Sequence, residues 1–300
     1  MLEKLLKDVG KDIPRPFGIY LSGGLDSGIL AALLKPDFAV SCNFKGEFYD
    51  ELKYACAITN HLGIEHHILE LDGRDFITTM GKAMDLLGKP LNHVSIYPWY
   101  KTIEYAKSLG AKVMLGGEGA DETFGGYSRY LILKEIHNLY QMESLKGYKP
   151  MLDSIFGSFT KVHSKISGIP EDVLEKRYEE KKGRGIITQA SWAEFNEGLP
   201  ALVNMEVVFN SYFGIEFHLP FYDKEVQKYG WSLDDKDKLV GEIRKYKIWE
   251  IARKHLPKEV WERKDKKGFV CPANEWCGSK SKYDKTNYMK FQKELCSKSS

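Results

Sequence analysis

The chain has 300 residues, 43% of them hydrophobic and 29% charged, which predicts a globular protein with one large domain or two modest ones. Its 44 basic and 42 acidic residues leave a formal charge of +2, which argues against nucleic acid or an anionic membrane surface as the main partner. Five cysteines without a CxxC pair argue against a disulfide framework and a zinc knuckle, so we expect a cytoplasmic protein. No apolar run approaches the roughly 18 residues of a membrane span.

Short apolar runs alternate with helical patterns in the first half of the chain, as is typical of a parallel α/β sheet. The predicted strands are residues 17–21, 38–44, 66–71 and 112–115. The predicted helices between them are residues 27–34, 50–62, 74–87 and 98–109, with a proline or glycine soon after each. This order predicts a Rossmann-like parallel sheet flanked by helices.

After about residue 130 the strand pattern disappears, and the chain continues as helical segments rich in Lys, Glu and Tyr. We therefore predict two domains. Residues 1–140 would form the α/β core, and residues 141–300 would form a mainly helical C-terminal part.

A loop rich in glycine and serine joins the first predicted strand to the helix after it. This nucleotide loop comprises Ser22, Gly23, Gly24, Leu25, Asp26 and Ser27. Its amides and the helix N-terminus would point at one spot beyond the strand, which attracts anions. An acid such as Asp26 in a phosphate cradle suits a ligand of the Mg²⁺ that accompanies a polyphosphate. The alternative is a plain helix start capped by Asp26 or Ser27, but the full hexapeptide between strand and helix favours a nucleotide site.

A second loop, residues 115–127 with the sequence LGGEGADETFGGY, follows the fourth predicted strand. Its many glycines predict a loop rather than a regular element. If the first and fourth strands are neighbours where the strand order reverses, this acidic loop faces the nucleotide loop. A carboxylate opposite a triphosphate is repelled unless a metal or a proton-transfer role holds it there, which favours functional roles for Glu118 and Asp121. For Glu122, a solvated turn is an equally good interpretation.

Both loops resemble those of the asparagine synthetases, within the wider group of pyrophosphate-loop ATP enzymes. Three later segments are similar to the same family in the same order. They are residues 216–223 (EFHLPFYD, similar to ExRxPFLD), Lys245-Tyr246 (similar to the KYxLRxA helix) and residues 266–272 (KKGFVCP, similar to KxGFxxP). The resemblance covers residues 17 to about 276 and implies a sheet of the adenine nucleotide alpha hydrolase type.

The resemblance implies that ATP adenylates a carboxylate, that pyrophosphate leaves, and that an amine attacks the acyl-adenylate. By matching position, the nucleotide loop would hold pyrophosphate, with Asp26 and Asp121 as ligands of Mg²⁺. Glu118 would deprotonate the amine, and Lys245 would stabilise negative charge in the transition state. Without the family pattern, a lone lysine in a basic run such as residues 244–247 is more often on a solvated helix face. In addition to the nucleotide loop, we assign the binding of ATP and pyrophosphate to Leu21, Gly116 and Gly117.

Two departures from the family concern the substrates. The glutaminase half of the family is not recognisable, since its nucleophilic cysteine would stand where this chain has Leu2. The amine is therefore expected from solution as ammonia, from a separate glutaminase, or from the substrate itself. An Asp-Arg pair of the family aligns with residues 206–211, and His218 replaces a further arginine, which argues against aspartate as the acceptor. The expected pocket wall is Val207, Val208 and Phe209.

The leading interpretation is an amide ligase that uses ATP and Mg²⁺ to join a small-molecule carboxylate to ammonia or another amine. An intramolecular amide cyclase, as in β-lactam synthetases and lasso-peptide cyclases, is a second hypothesis; the β-lactam type has a tyrosine where this chain has Glu118. A nucleotide-binding subunit of a two-protein amidotransferase is a third. A tRNA-modifying enzyme would need a basic face or a catalytic cysteine pair, and neither is evident.

Overall fold

The computed structural model describes residues 1–44, 51–91, 93, 95–148, 150, 151, 154, 157–263, 272, 276 and 292. Two compact units are formed, each from separate stretches of the chain. The helical unit comprises Met1–Leu5, Glu118–Pro200 and Phe221–Ile251. The sheet unit comprises Leu6–Gly117, Ala201–Pro220 and the described residues of Ala252–Ser300. Each unit combines stretches that are far apart in the chain. The units therefore do not test the predicted boundary at residue 140, which stays a prediction.

Regular elements account for most of both units, and no described helix is long and apolar enough to cross a membrane. The strands are β1 (Gly18–Tyr20), β2 (Phe38–Phe44), β3 (Glu65–Leu71), β4 (Val113–Leu115) and β5 (Glu216–His218). The helices are α1 (Leu2–Gly10), α2 (Leu25–Leu34), α3 (Leu52–Leu62), α4 (Phe76–Leu87), α5 (Ile96–Ser108), α6 (Ala120–Phe124), α7 (Arg129–Gln141), α8 (Phe159–Ser167), α9 (Glu171–Glu180), α10 (Ile186–Glu197), α11 (Leu199–Tyr212), α12 (Lys224–Ser232), α13 (Asp235–Lys238), α14 (Tyr246–His255) and α15 (Lys258–Trp261). Two 3₁₀ segments occupy Glu143–Tyr148 and Pro220–Tyr222.

The five strands form one parallel sheet in the order β3-β2-β1-β4-β5, which confirms the predicted fold class. β1 lies between β2 and β4, with Gly18 opposite both Phe38 and Met114. The strand order therefore reverses between β1 and β4. The first and fourth predicted strands are thus neighbours at the reversal, which was the condition for expecting the loops after them to share a site. Ligands of open parallel sheets bind beyond the carboxyl ends of the strands at such a reversal. The residues that follow β1 and β4 share this edge of the sheet.

All the strands predicted from hydrophobic runs are present, but β5 was not predicted. It consists of only three residues, EFH, which are too few to show a period, and it pairs with β4 from a distant part of the chain. The predicted irregular loop after β4 is also corrected, since it contains the short helix α6 between Gly119 and Gly125. Both glycines adopt left-handed backbone angles, so they flank a helical turn instead of preventing one.

Each unit has its own apolar core. In the sheet unit, α4 and α5 contribute Met80, Ile96 and Ile103, which pack with Val40 and Met114 of the sheet. Burial of each such side chain contributes about 1.5 to 3 kcal/mol. The core of the helical unit is built from α7, α8, α9, α10 and the residue after α13. Its fully or nearly fully buried members include Tyr130, Leu133, Leu174, Ile187 and Leu239.

Candidate active site

The nucleotide loop begins directly at the end of β1. Leu21 is 2% exposed, and its carbonyl oxygen accepts a hydrogen bond of 2.6 Å from the Ser41 hydroxyl of β2. The backbone N–H of Ser22 donates to the hydroxyl of Ser27 at 3.3 Å, which folds the loop back on itself. Gly23 has a φ of +72°, a left-handed conformation that favours glycine. The loop is therefore shaped by hydrogen bonds between serine hydroxyls and main-chain groups, together with the left-handed conformation of Gly23.

Helix α2 begins earlier than predicted, at Leu25 instead of Ser27. Gly24 stands at the N-cap position with extended backbone angles, and no side chain caps this helix end. Asp26 and Ser27 thus lie within the first turn, and Asp26 is only 8% exposed. The alternative of a plain helix start capped by Asp26 or Ser27 is wrong, because neither side chain takes that position.

The residues after β4 pack directly on the nucleotide loop within the sheet unit. The backbone N–H of Gly116 donates to the carbonyl of His218 at 3.0 Å, which continues the pairing of β4 with β5. A Cβ atom on Gly117 would lie 3.3 Å from both the Asp26 side chain and the backbone nitrogen of Ser27. A larger residue at position 117 would therefore crowd the first turn of α2, where phosphate is expected to bind.

Two residues to which the sequence gave no functional role, His66 and Thr59, extend the polar contacts from Ser41. His66 Nε2 lies 2.8 Å from the Ser41 hydroxyl, which in turn donates to Leu21. Thr59 lies 3.2 Å from His66 Nδ1 and extends the chain of polar contacts to α3. Burial lowers the pKa of His66, so the ring is neutral at neutral pH. Only the pairing of β2 with β3 brings these side chains together.

The acidic loop carries its three carboxylates in different surroundings. Glu118 is partly buried and precedes Gly119, whose Cβ would lie 2.9 Å from the ring of Tyr222. Asp121 and Glu122 lie in the first turn of α6. Glu118 therefore belongs to a turn, whereas the other two acids lie on a helix.

Glu122 is 3% exposed, so its interpretation as part of a solvated turn is wrong. Burial, reinforced by the charge of Asp121, raises the pKa of Glu122 to about 8. The hydroxyl of Tyr127 donates a hydrogen bond of 2.5 Å to the Glu122 carboxyl group. At neutral pH Glu122 is thus mostly a neutral acid, which limits the negative charge in the loop.

Lys245 forms an ion pair with Asp121, with 2.8 Å between Nζ and Oδ1. The lysine is 4% exposed and lies just before α14, with a φ of +52°. This left-handed conformation costs a non-glycine residue about 1 to 2 kcal/mol, so the surrounding contacts hold it in place. A solvated helix-face lysine would show neither burial nor this backbone, and that interpretation is wrong.

Gly126 makes this ion pair possible, and the sequence did not single it out. A Cβ atom there would lie 1.9 Å from both Asp121 Oδ1 and Lys245 Cε. The N–H of Gly126 also donates to the carbonyl of Asp121 at 2.7 Å, and its own carbonyl accepts a bond of 2.8 Å from Arg244. Any side chain at position 126 would separate the lysine from its carboxylate.

The expected pocket wall on α11 is not a continuous surface. Phe209 is fully buried, with its ring centroid 5.4 Å from that of Tyr100 in the core of the sheet unit. Val207 is 42% exposed, and Val208 packs against the same core. His218, which replaces a family arginine, pairs with Glu216 at 2.7 Å. The family-like segment at residues 266–272 lies outside the described residues, apart from Pro272.

Comparison with known proteins gives one family match that spans most of the chain. The family described as asparagine synthase matches residues 12–290. A relative from Methanocaldococcus jannaschii is 32% identical over 183 residues, which are 58% of this chain and 34% of that protein. The glutamine-hydrolysing asparagine synthetase B of Escherichia coli is 31% identical over 137 residues, or 37% of this chain and 24% of the relative. Asparagine synthetase 1 of Bacillus subtilis, also glutamine-hydrolysing, is 25% identical over 303 residues, or 87% of this chain and 47% of the relative.

The chain thus spans less than half the length of these relatives. Among solved structures, an NMN synthetase from Francisella tularensis is 13% identical and covers 80% of this chain and 94% of its own, with a TM-score of 0.29. A score so low supports no inference.

Proposed function

Because the chain belongs to the asparagine synthase family, we propose that it is an ATP-dependent ligase that joins a carboxylate to ammonia or another amine. The observation that carries this proposal is the position of the nucleotide loop. The loop follows β1 where the strand order reverses, and Gly117 packs on Asp26 and Ser27. This combination gives the sheet unit a backbone cradle for phosphate.

We further propose that the reaction releases AMP and pyrophosphate. A carboxylate oxygen of the acceptor attacks the α-phosphorus, the bond between the α-phosphorus and its bridging oxygen breaks, and pyrophosphate leaves. The nucleotide loop supports this choice because it lacks the Gly-Lys-Ser/Thr ending of loops that support γ-phosphate transfer. Leu21 to Ser27, together with Gly116 and Gly117, are the residues proposed to bind ATP and pyrophosphate.

In the second half-reaction the amine nitrogen attacks the acyl carbon and AMP leaves. We assign Glu118 as the base that removes a proton from the amine, since an ammonium ion is unreactive until it is deprotonated. Lys245 is assigned to the negative charge that develops in the transition state. Its burial and its ion pair with Asp121 support this role, because they fix the ammonium group in one place.

By matching position in the family, Asp26 and Asp121 are each proposed as a ligand of Mg²⁺, which would neutralise charge on the phosphates. The chemistry of these side chains fits, since both offer carboxylate oxygens, the kind of ligand that Mg²⁺ accepts. In the ranges that the structure covers, no three His, Cys, Asp or Glu side chains cluster as a metal site. Mg²⁺ often takes only one or two carboxylates and completes its shell with phosphate oxygens and water, which agrees with two acids.

The proposal is tested by incubating the protein with ATP, Mg²⁺, ammonium and a panel of carboxylic acids that includes aspartate. AMP and pyrophosphate in equal amounts, formed only with a particular acid, are the expected result. Formation of ADP and phosphate as the stoichiometric products would exclude the adenylation mechanism.

The role of Glu118 is tested with the acid that the panel identifies. Glu118→Gln should still exchange labelled pyrophosphate into ATP, because the base acts only on the amine, while amide formation falls about 100-fold. Glu175→Gln, an exposed position in the same unit, is the matched control and should leave both rates unchanged. Equal loss of exchange and amide formation in the Glu118 variant would contradict the assignment.

A further inference from the structure

The carbonyl oxygen of Gly23 in the nucleotide loop accepts a hydrogen bond from Arg263. The distance from Nη1 to this oxygen is 3.3 Å. The carbonyl of Gly23 and the N–H of Gly24 belong to one planar trans peptide, so the two groups point in opposite directions. The bond to Arg263 therefore also fixes the direction of the Gly24 N–H, which donates a hydrogen bond of 3.4 Å to the Ser22 hydroxyl inside the loop.

The guanidinium group of Arg263 is itself held firmly. Its side chain is 4% exposed, and Nη2 forms an ion pair with the carboxylate of Glu51, just before α3. The guanidinium carbon lies 4.0 Å from the ring centroid of Tyr54 in the first turn of α3. A planar group with donors in a rigid fork can bridge a carbonyl and a carboxylate while it stacks on a ring, which a lysine cannot do.

The nucleotide loop packs closely on the same turn of α3. A Cβ atom on Gly23 would lie 2.8 Å from the backbone nitrogen of Ala55 and 2.9 Å from Cβ of Tyr54. The loop, Glu51, Tyr54 and Arg263 all belong to the sheet unit. Arg263 thus closes one side of the loop, the side on which the Gly23 carbonyl lies.

The loop has a chemical need for such a group. It contains an acid, Asp26, but no lysine or arginine of its own. A carbonyl oxygen turned toward a phosphate would repel it, whereas an amide N–H turned toward it would attract it. The peptide between Gly23 and Gly24 can take either orientation, because glycine permits both.

We propose that Arg263 is a positioning residue for pyrophosphate binding, which holds the Gly23–Gly24 peptide with its carbonyl away from the phosphates and its N–H on the inner side of the loop, beside the Ser22 hydroxyl. The inference rests on the proposed function, since it concerns the same loop. It also predicts a specific pattern of losses. Ligands with β- and γ-phosphates, or pyrophosphate itself, depend on Arg263, while AMP does not.

The experiment measures binding of Mg-pyrophosphate and of AMP separately by calorimetry, on the full chain. Arg263→Ala should weaken binding of Mg-pyrophosphate by about 10- to 100-fold, the usual effect of losing a hydrogen bond from a charged donor. AMP binding should change by less than about twofold. Arg253→Ala, an exposed arginine of α14 in the same unit, is the control and should change neither affinity.

A second variant and a rescue separate positioning from folding. Arg263→Lys keeps the charge without the fork and should lose most of the same pyrophosphate affinity, so it serves as the test if Arg263→Ala does not fold. Free guanidinium ion at millimolar concentration should restore pyrophosphate binding to Arg263→Ala, which a general loss of structure would not allow.

The experiment distinguishes failure of the Arg263 inference from failure of the proposed function. Unchanged pyrophosphate binding in both Arg263 variants, or equal losses for pyrophosphate and AMP, overturns the role of Arg263 and leaves the ligase proposal standing. If the unaltered protein binds neither Mg-pyrophosphate nor Mg-ATP, the ligase proposal fails and this inference fails with it.

Discussion

In the sheet unit, the nucleotide loop is held largely through its main chain: Arg263 bonds to the carbonyl oxygen of Gly23, and Ser41 bonds to that of the preceding Leu21. In the helical unit, by contrast, ionisable side chains are buried and contact one another. Glu194 is 3% exposed and accepts hydrogen bonds from Arg129, Tyr130 and His163.

The difference shows two ways of fixing functional groups. A loop that is held through its main chain tolerates many different side chains, but it does not tolerate a change in peptide direction or an added Cβ atom at its glycines. A buried ion pair tolerates backbone adjustment but not the loss of one partner, because the other charge is then left in a medium that solvates it poorly. The two units should therefore respond to opposite kinds of substitution.

The largest effect is expected at Glu194. Glu194→Ala would leave the partly buried Arg129 without its carboxylate and should lower the free energy of unfolding by about 3 to 5 kcal/mol. Urea unfolding would measure this loss. Glu179→Ala removes an exposed partner of Lys182 and should cost less than about 1 kcal/mol. Similar losses in the two variants would show that the buried network contributes no more than a surface pair.

The Glu194 effect should also depend on pH. Burial alone would raise the pKa of Glu194, but hydrogen bonds from His163 and Arg129 outweigh it and hold the pKa below its ordinary value. A carboxylate with a lowered pKa stabilises the folded state at higher pH and loses that contribution as the pH falls through its folded-state pKa. The gap between the unaltered protein and Glu194→Ala should therefore narrow in acid.

The next largest effect concerns the backbone of the sheet unit. Gly23 and Gly63 both have positive φ. A Cβ atom would meet α3 at Gly23, whereas at Gly63 none of the described residues outside its chain neighbours would lie within 4 Å of it. Either substitution by alanine costs about 1 to 2 kcal/mol of stability. Only Gly23→Ala should also weaken Mg-ATP binding, by about 10-fold or more, because the loop must move away from α3. Equal ATP affinities in the two variants, measured by calorimetry, would mean that the close approach has no functional role.

A further expected effect is a pH dependence in the helical unit. Lys238 is fully buried beside the ring of Trp231, and in the described part of the chain its amine has no hydrogen-bond partner. Burial lowers its pKa to about 7. Between that value and the ordinary pKa of 10.5 the unfolded state holds one more proton, so stability should rise with pH, by up to about 1.4 kcal/mol per unit.

Lys238→Met removes this dependence. Its advantage over the unaltered protein should be greatest at pH 7 and should shrink as the pH rises toward 10, as thermal unfolding at several pH values would show. Lys228→Met is the control, because Lys228 is 77% exposed, and its effect should not vary with pH. An advantage of Lys238→Met that is constant with pH would indicate that the lysine stays charged when buried.

Local patterns in the sequence were sufficient to predict much of the sheet unit. β2 begins and ends at the predicted residues, and α3, α4 and α5 each lie within a few residues of the predicted bounds. These elements were predictable because apolar periodicity and the glycines and prolines that end a helix act over a few neighbouring residues. The neighbouring positions of β1 and β4 could be stated only as a condition, since strand order depends on contacts between residues far apart in the chain.

The sequence by itself therefore determined the two loops, their acids and the strands that precede them, because these are properties of short stretches of chain. Only the tertiary structure decided which side chains meet. It pairs Lys245 with Asp121 across the space that Gly126 leaves open, and it brings Arg263 to the carbonyl of Gly23. It also buries Glu122, which has no local feature to distinguish it from a surface acid. These outcomes depend on packing between distant segments, and no periodicity or local motif encodes them.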